Sequence, residues 1–396
     1  MAVLTKKLYI KNAAGTQQTA EIYTTVDEAG VNYLNLKVDS TNAYVPLVVT
    51  NHANATAGRV KKGGTIYAIA KKKAGLIHSN PESLLESRAH LAGESVGSYA
   101  LFAGGSGMSR NIVDAYNSSL THSNPTNLSA KRTRLAGASV GNYALFAGSD
   151  ELYSSAMASV DAYNASLTRS NPTSLSVGVY RHTGTSNGTY ALFAGGYDEE
   201  DGLISNVNAY NSALTRSTPT SISVARIDLA ATTVGNYALF AGGSTSSAYS
   251  AVVDAYNKSL TRSTPTGLSN ARSNMAATNI GSYALFGGGT TGQQIYNIVD
   301  VYNTSLTRST ATSLSQARCQ LAATTVGNYA LFAGGYNSSV VSAVVDAYDK
   351  SLTHSIPESL AKERYILAAT TVGNYALFGG GMSSSYLSAF VDAYSA

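Results

Sequence analysis

Six arginines and six aspartates recur at fixed positions and are the most regular charged residues of the chain. Each arginine lies eleven residues before a repeated tyrosine, and each aspartate lies two residues before another tyrosine. The arginines are Arg88, Arg132, Arg226, Arg272, Arg318 and Arg364. The aspartates are Asp114, Asp161, Asp254, Asp300, Asp346 and Asp392. One copy has Val179 and Asn208 at these positions and so loses both charges together. Because one remaining charge would be buried without a partner, we predict a structural Arg–Asp pair in each repeat. A ring of arginines around an anion is the alternative.

A variable stretch rich in Ser, Asn and Gly lies between each arginine and its aspartate. These stretches contain the candidate binding residues, which are Tyr153, Tyr197, Asp198, Tyr249, Tyr296, Tyr336 and Tyr386. Rigid aromatic side chains beside short polar ones suit the recognition of a protein or a sugar. Loops that vary because no packing constrains them are the alternative.

The remaining chemically active residue types form no catalytic pattern. The acidic run Asp198–Asp201 only loosely resembles a calcium loop, and we expect it to be solvated. His78, His122 and His354 share one repeated position at which other copies have arginine, which indicates a structural role. The single cysteine, Cys319, excludes internal disulfides, and no Cys/His spacing suggests zinc. No phosphate loop or dinucleotide fingerprint is present. We therefore predict no catalytic residues, no metal and no cofactor.

Composition limits the partners. Charged residues make up 13% of the 396 residues and the formal net charge is +4, whereas nucleic-acid binding needs a concentrated basic face. No stretch approaches the roughly 20 apolar residues of a membrane span, and the N-terminus lacks the apolar run of a signal peptide. We expect a protein made in the cytoplasm, without membrane insertion and without a nucleic-acid partner.

The candidate residues belong to a repeat that must position them. The segment around Tyr237, which reads Asn-Tyr-Ala-Leu-Phe-Ala-Gly-Gly, recurs nearly unchanged at intervals of 44 to 47 residues. Its tyrosines are Tyr99, Tyr143, Tyr190, Tyr237, Tyr283, Tyr329 and Tyr375. Each repeat contains four short extended runs ended by Gly, Asn or Pro, which is typical of a β-propeller blade. Proline falls in the fourth run of six copies, and this predicts an outer-edge strand because proline cannot donate to a central ladder.

The positions at which the pattern starts and stops predict how the propeller closes. The outer-strand pattern appears first, alone, at Leu76–Pro81, and the chain stops at Ala396, where another outer strand would follow. We therefore predict a seven-bladed propeller over 76–396 whose N-terminal strand completes the last blade and removes exposed edges. Residues 1–70 lack the period but alternate in polarity, which predicts a small β-rich module. The fold class is all-β.

The repeat resembles kelch repeats over 76–396. The matching features are an arginine before the inner strand, Gly-x-Tyr, a double glycine, and Tyr followed by Asn, here Arg226, Gly235, Tyr237, Gly242-Gly243 and Tyr256-Asn257. This resemblance implies a binding scaffold, and occasionally an oxidase. The opening segments Leu4–Lys11 and Arg59–Tyr67 are similar to the start of phage tail-tip or fibre proteins.

Together these features favour a non-enzymatic binding protein. We predict a component of a phage tail or related particle that recognises a host-surface glycan or protein through its propeller loops. Residues 1–70 would then contact other tail or baseplate proteins or form a homo-oligomer. The alternatives are an intracellular protein–protein interaction scaffold and, third, a propeller enzyme acting on sugars.

Overall fold

The computed structural model describes residues 3–11, 17–26, 32–38, 45–46, 57–62, 65–70, 76–150, 156–384 and 386–396. All regular secondary structure in these ranges is β-strand, which confirms the all-β prediction. Within the same ranges, no helix is long and apolar enough to cross a membrane. The chain divides into two compact units, Met1–Gly75 and Leu76–Ala396.

The first unit contains six described strands. They are β1 Val3–Lys11, β2 Gln17–Val26, β3 Asn32–Val38, β4 Val45–Pro46, β5 Ala57–Lys62 and β6 Thr65–Ala70. Strands β1 to β4 form one antiparallel sheet in sequence order, and β5 pairs with β6 as a hairpin.

The second unit consists of seven four-stranded sheets, which we call blades 1 to 7. It begins with β7 Ile77–Ser79. Blade 1 contains β8 Ala92–Val96, β9 Tyr99–Ala103, β10 Val113–Asn117 and β11 His122–Ser123. Blade 2 contains β12 Ala136–Val140, β13 Tyr143–Asp150, β14 Ala156–Asn164 and β15 Arg169–Ser170. Blade 3 contains β16 Thr183–Ser186, β17 Ala191–Ala194, β20 Val207–Tyr210 and β21 Arg216–Ser217, with a hairpin of β18 Tyr197–Asp198 and β19 Gly202–Leu203.

The later blades repeat this order. Blade 4 contains β22 Ala230–Val234, β23 Tyr237–Ala241, β24 Val253–Tyr256 and β25 Arg262–Ser263. Blade 5 contains β26 Ala276–Ile280, β27 Tyr283–Gly287, β28 Val299–Asn303 and β29 Arg308–Thr310. Blade 6 contains β30 Ala322–Val326, β31 Tyr329–Ala333, β34 Val345–Asp349 and β35 His354–Ser355, with a hairpin of β32 Tyr336–Asn337 and β33 Val340–Val341. Blade 7 contains β36 Ala368–Val372, β37 Tyr375–Gly379, β38 Val391–Ser395 and β7.

Blade 7 combines the two ends of the repeat region. Strand β38 pairs antiparallel with β7, with Tyr394 opposite His78 and Ala393 opposite Ser79. The first strand of the unit therefore supplies the outer strand of the last blade, as predicted from the sequence. With this pairing, every described strand of the second unit has a partner in a sheet, and the ring of blades has no open end.

Each second strand is apolar on both faces because it is covered by a blade on either side. In blade 4, Leu239 packs with Phe286 of blade 5, while the next residue, Phe240, packs with Leu192 of blade 3. All four side chains are almost completely buried. Burial of one such side chain stabilises the fold by about 1.5–3 kcal/mol.

A buried tyrosine in every third strand fixes the crossover that leads into the blade. In blade 4 the Tyr256 hydroxyl donates to the Thr220 carbonyl oxygen at 2.7 Å, and its ring packs edge-to-face on Phe240. The equivalent tyrosines are Tyr116, Tyr163, Tyr210, Tyr302, Tyr348 and Tyr394. Each tyrosine thus fills the core and satisfies a backbone carbonyl of the crossover.

Strand direction determines which segments share a face. In every blade the inner strand begins at the edge where the second strand ends, and the third strand begins at that same edge. The crossovers into the inner strands and the loops between second and third strands therefore lie on one face, which we call the loop face. The turns between third and fourth strands lie on the opposite face.

Candidate functional site

The predicted Arg–Asp pairs lie beside the loop face, and each forms what we call a clamp. In blade 4, Arg226 Nη2 lies 2.5 Å from Asp254 Oδ2. Arg226 Nη1 donates to the carbonyl oxygens of Gly242 at 2.6 Å and Val252 at 2.7 Å. The second aspartate oxygen accepts from the Ser223 amide at 2.9 Å. Burial lowers the pKa of Arg226, and the Asp254 carboxylate opposes that shift. The carboxylate thus compensates the cost of burying the guanidinium group.

Each clamp joins two blades, a feature that the repeat alone did not reveal. The Arg272 amide donates to Ser250 of blade 4 at 3.1 Å, and the Arg272 carbonyl accepts from Gly243 of blade 4 at 2.9 Å. The side chain of the same arginine reaches Asp300 of blade 5 at 2.8 Å. The six arginines and six aspartates are 0% exposed, so their charges face one another rather than a ligand.

Blade 3 has no clamp, because uncharged residues replace both the arginine and the aspartate. Asn208 takes the aspartate position and accepts from the Ser176 amide at 2.9 Å, the bond that the aspartate makes elsewhere. Val179 fills the arginine position and is buried. His182 stands where the other blades have Leu or Met, and it is also buried. Burial lowers the pKa of His182 to about 3, an effect to which nearby Arg132 adds and which the Ala147 backbone opposes. Neither ring nitrogen of His182 has a hydrogen-bond partner among the described residues. His182 is therefore neutral.

The histidines at the repeated outer-strand position complete clamps. His354 Nε2 lies 2.7 Å from Asp346 Oδ1, and its ring packs on Tyr348 at 5.1 Å between centroids. His78 and His122 bond Asp392 and Asp114 in the same way. In blade 5, Arg308 takes this position and reaches Asp300 at 3.1 Å. This arrangement accounts for the alternation of His and Arg in the sequence.

Two residues after each clamp position, one residue per blade forms a closed ring around the propeller axis. These seven residues, which we call the axial ring, are His90, Arg134, Arg181, Asp228, Asn274, Gln320 and Ile366. Each amide donates to the carbonyl of the ring residue in the preceding blade at 2.8–3.4 Å, and the His90 amide closes the ring on Ile366. All seven have φ between 53° and 55°. This left-handed conformation is an outlier for a β-branched residue such as Ile366, and the circular hydrogen bonding holds it in place.

The axial ring surrounds a pocket of about 400 Å³. The ring side chains line it together with the residue that follows each of them, which is Leu, Met or His182. Because the ring lies where the crossovers enter the inner strands, this pocket belongs to the loop face. The sequence analysis missed the axial ring. A signal for it was present in the sequence. The residue two positions after the arginine differs from blade to blade, whereas the arginine itself is replaced in one blade only.

The pocket wall contains an ion pair between two neighbouring ring residues. Arg181 Nε donates to Asp228 Oδ1 at 2.9 Å, and Arg181 Nη2 bonds the other carboxylate oxygen. The Asp228 carboxylate raises the pKa of Arg181. The Arg181 side chain is 38% exposed and that of Asp228 is 13% exposed, so this pair faces solvent, unlike the clamps.

Below the axial ring, Glu94 lies on the inner strand of blade 1. Its Cγ lies 2.6 Å from the place where a Cβ on Gly137 would stand, so the missing side chain of Gly137 makes room for it. Burial raises the pKa of Glu94 to about 7, while hydrogen bonds with the Ser95 backbone and the Ser139 side chain oppose the shift. Glu94 therefore changes charge near neutral pH.

The predicted loop tyrosines differ in their exposure. Tyr153 lies outside the described residues. Tyr249 and Tyr386 are exposed, by 37% and 77%. Tyr197, Tyr296 and Tyr336 are half-buried. The short hairpins of blades 3 and 6 explain part of this burial, because Tyr197 packs on Tyr180 and Tyr336 packs on Tyr365.

Asp198 is buried at a turn of the blade 3 hairpin. Its Oδ1 accepts from the amides of Glu200 and Asp201, both at 2.9 Å. This side chain is therefore engaged in shaping the turn. Over the described residues, no group of three or more His, Cys, Asp or Glu side chains is placed to hold a metal ion.

Comparison with known proteins supports the fold. The solved structure titled "Structure of YjhT" matches this chain with a TM-score of 0.55 and 11% sequence identity, covering 70% of this chain and 99% of that one. At this identity the likeness concerns the fold alone, and it agrees with a β-propeller. No protein-family model and no curated protein matches the chain. A propeller fold of this kind is compatible with a binding or scaffold role.

Proposed function

We propose that this protein is a non-enzymatic binding protein that recognises a cell-surface glycan or protein with its loop face. The axial pocket is the observation that supports this proposal. It is concave, it lies on the face that carries the varied loops, and its volume falls in the ~300–1,000 Å³ range of ligand sites. The ring residues around it differ between blades although the surrounding repeat is nearly constant.

Two exposed tyrosines extend the proposed binding surface beyond the pocket. Tyr249 of blade 4 and Tyr386 of blade 7 stand on the loop face, among serines and threonines. Rigid aromatic side chains supply contact area at a low entropic cost, and short polar neighbours supply hydrogen bonds. A ligand larger than the pocket could use both.

The setting we propose is the tail of a phage or a related particle. The similarity of Leu4–Lys11 and Arg59–Tyr67 to the openings of tail-tip proteins supports this setting. The resemblance of the repeat to kelch repeats, which are typical of binding scaffolds, supports the binding role alone. In this proposal the first unit, Met1–Gly75, attaches the protein to the particle or forms an oligomer, and the second unit meets the host surface.

An intracellular protein–protein scaffold is the second candidate, favoured by an apolar patch in blade 7. Tyr386, Leu387 and Phe390 are 77%, 37% and 42% exposed. Exposed apolar side chains that cluster in one loop are typical of protein contacts.

Binding of the labelled full-length protein to intact bacterial cells tests the proposal. We expect saturable binding that is lost when Tyr249 and Tyr386 are both replaced by serine. The matched control replaces Lys258 and Lys350 by serine, because these exposed residues lie in turns of the opposite face. Equal loss in both variants, or no saturable binding to any cell type, would contradict recognition through the loop face. Retention of one bacterial protein from a lysate, without cell binding, would favour the scaffold.

A further inference from the structure

We propose that the axial pocket holds a single sugar residue and recognises its hydroxyl groups through Asp228, Asn274 and Gln320. This inference rests on the proposed function and names the site and the ligand class. The three residues occupy consecutive positions of the axial ring in blades 4, 5 and 6. Their backbones are joined directly, because Asn274 donates to Asp228 at 3.2 Å and Gln320 donates to Asn274 at 2.8 Å.

The backbones of these residues are fixed, so their side chains start from defined positions. Neighbouring residues in such hydrogen-bonded pairs lie about 5 Å apart, and seven of them make a ring roughly 11 Å across. All three hold φ between 53° and 55°. A site whose supporting backbone is rigid needs little reorganisation when a ligand binds.

The side chains offer both hydrogen-bond donors and acceptors. An amide presents two donors and one carbonyl acceptor, and a carboxylate presents acceptors only. Asp228 is oriented by Arg181, whose Nε donates to it at 2.9 Å. The side-chain nitrogen Nδ2 of Asn274 donates to Ser273 Oγ at 3.1 Å, which leaves its side-chain oxygen for other partners. Gln320 makes no side-chain hydrogen bond within the described part of the chain, although it lines the pocket.

Sugars match this set because each hydroxyl both donates and accepts. A half-buried amide without a protein partner, as in Gln320, favours a ligand that bonds it and discriminates against one that leaves it unpaired. Ile366 follows Gln320 around the ring and donates its amide to Gln320 at 2.9 Å. Its apolar side chain ends the polar arc and offers no hydrogen bond to a sugar hydroxyl.

The loop face also explains why a single residue fits. A pocket of about 400 Å³ on the loop face has room for the end of a chain while the rest lies over the loops. We therefore expect the pocket to bind the terminal residue of an oligosaccharide and, more weakly, the free monosaccharide.

Titration of the full-length protein with methyl glycosides of glucose, galactose, mannose and N-acetylglucosamine, followed by NMR, tests the inference. We expect at least one glycoside to bind, and Gln320→Ile to weaken its affinity at least tenfold. Blade 7 already has isoleucine at this ring position with the same φ, so the variant should fold, and a urea unfolding curve checks this. The control Ile366→Gln keeps the polar arc and should retain binding.

Three outcomes would overturn the inference. They are no binding of any glycoside, unchanged affinity in Gln320→Ile, or equal loss in Gln320→Ile and Ile366→Gln. Measuring cell binding of the same proteins distinguishes a failure of the sugar-site inference from a failure of the proposed function. If wild type and Gln320→Ile bind cells equally, the loops carry recognition without the pocket; if neither binds, the proposed function also fails.

Discussion

The clamp arginine and the axial-ring residue of a blade are only two positions apart, yet they follow opposite rules. Six of the seven blades have the same arginine, whereas the axial ring contains six different residue types. In the clamp, the main chain of the arginine bonds the preceding blade, while its side chain makes the bonds to its own blade. In the ring, the main chain alone bonds the neighbouring blades, and the side chain is left to line a pocket. Residue identity is therefore restricted in the clamp and unrestricted in the ring.

Blade 3 shows how a clamp can be lost. The change of Arg to Val179 occurs together with the change of Asp to Asn208, and the asparagine keeps the backbone bond to Ser176. Either change alone would leave one buried charge or one group of buried carbonyls without its partner. The double change leaves two buried uncharged residues, Val179 and Asn208, in place of the ion pair.

The largest expected effect comes from breaking one clamp. Arg226→Val removes the buried cation of the Asp254 carboxylate and leaves only the more exposed Arg262, 3.9 Å away. We expect a loss of about 3–5 kcal/mol in the free energy of unfolding. The double variant Arg226→Val with Asp254→Asn reproduces blade 3 and should recover a large part of this loss. Urea unfolding measures both variants. A double variant as unstable as the sum of the two single variants would show that the charges do not act as a pair.

A smaller effect is expected from His182, and it depends on pH. Its folded-state pKa of about 3 lies below the ordinary value of 6.5. The unfolded chain therefore binds a proton below pH 6.5 that the folded protein does not, and stability falls as pH drops from 6.5 towards 3. Between pH 8 and pH 5 this costs about 2 kcal/mol. The neighbouring blades have leucine at this position. We therefore expect His182→Leu to remove the loss of stability that His182 causes.

The reciprocal variant Leu135→His supplies the control for His182. It places histidine at the equivalent position of blade 2 and should introduce a similar pH dependence. Urea unfolding at pH 8 and pH 5 measures both variants. Glu94, whose raised pKa favours the folded state as pH falls, contributes equally to both proteins, so the comparison isolates His182. An identical change between pH 8 and pH 5 in wild type and His182→Leu would show that His182 does not contribute to the pH dependence.

The smallest expected effect comes from the ion pair of the axial ring. Asp228→Asn removes the partner of Arg181, yet the pair faces solvent and water can replace it. We expect a change within about 1 kcal/mol in the free energy of unfolding. The same urea experiment gives this value. A loss as large as that of Arg226→Val would mean that the ring depends on its side chains as the clamps do, and the contrast between the two positions would fail.

Much of the fold could be predicted because the repeat presents the same pattern seven times. The alternation of short apolar runs with Gly, Asn and Pro indicated four strands per blade, and the isolated Leu76–Pro81 segment indicated how blade 7 closes. The prediction that proline marks the outer strand also has a physical basis. Blade 5 has Ala311 where other copies have proline, and the Ala311 amide donates to the Val299 carbonyl at 3.0 Å. This additional bond extends the outer strand of blade 5 to Thr310.

The candidate site was harder to predict because it combines one residue from each blade. Nothing local distinguishes Gln320 or Asn274, since each is a single polar residue in a short crossover. The exposure of the loop tyrosines was equally hidden. Tyr197 and Tyr386 both lie in the variable stretch that follows a double glycine. Tyr197 is half-buried in a hairpin beside Tyr180, whereas Tyr386 is exposed.

The sequence by itself determined the period, the strands of each blade, their number and the residues that form the clamps. These features follow from local alternation and from the joint loss of Arg and Asp in one copy. Only the tertiary structure decided that a clamp joins two blades and that seven residues about 46 positions apart meet on one axis. The physical reason is closure: when seven sheets complete a circle, main-chain groups distant in sequence become each other's hydrogen-bond partners, and their side chains enclose a pocket.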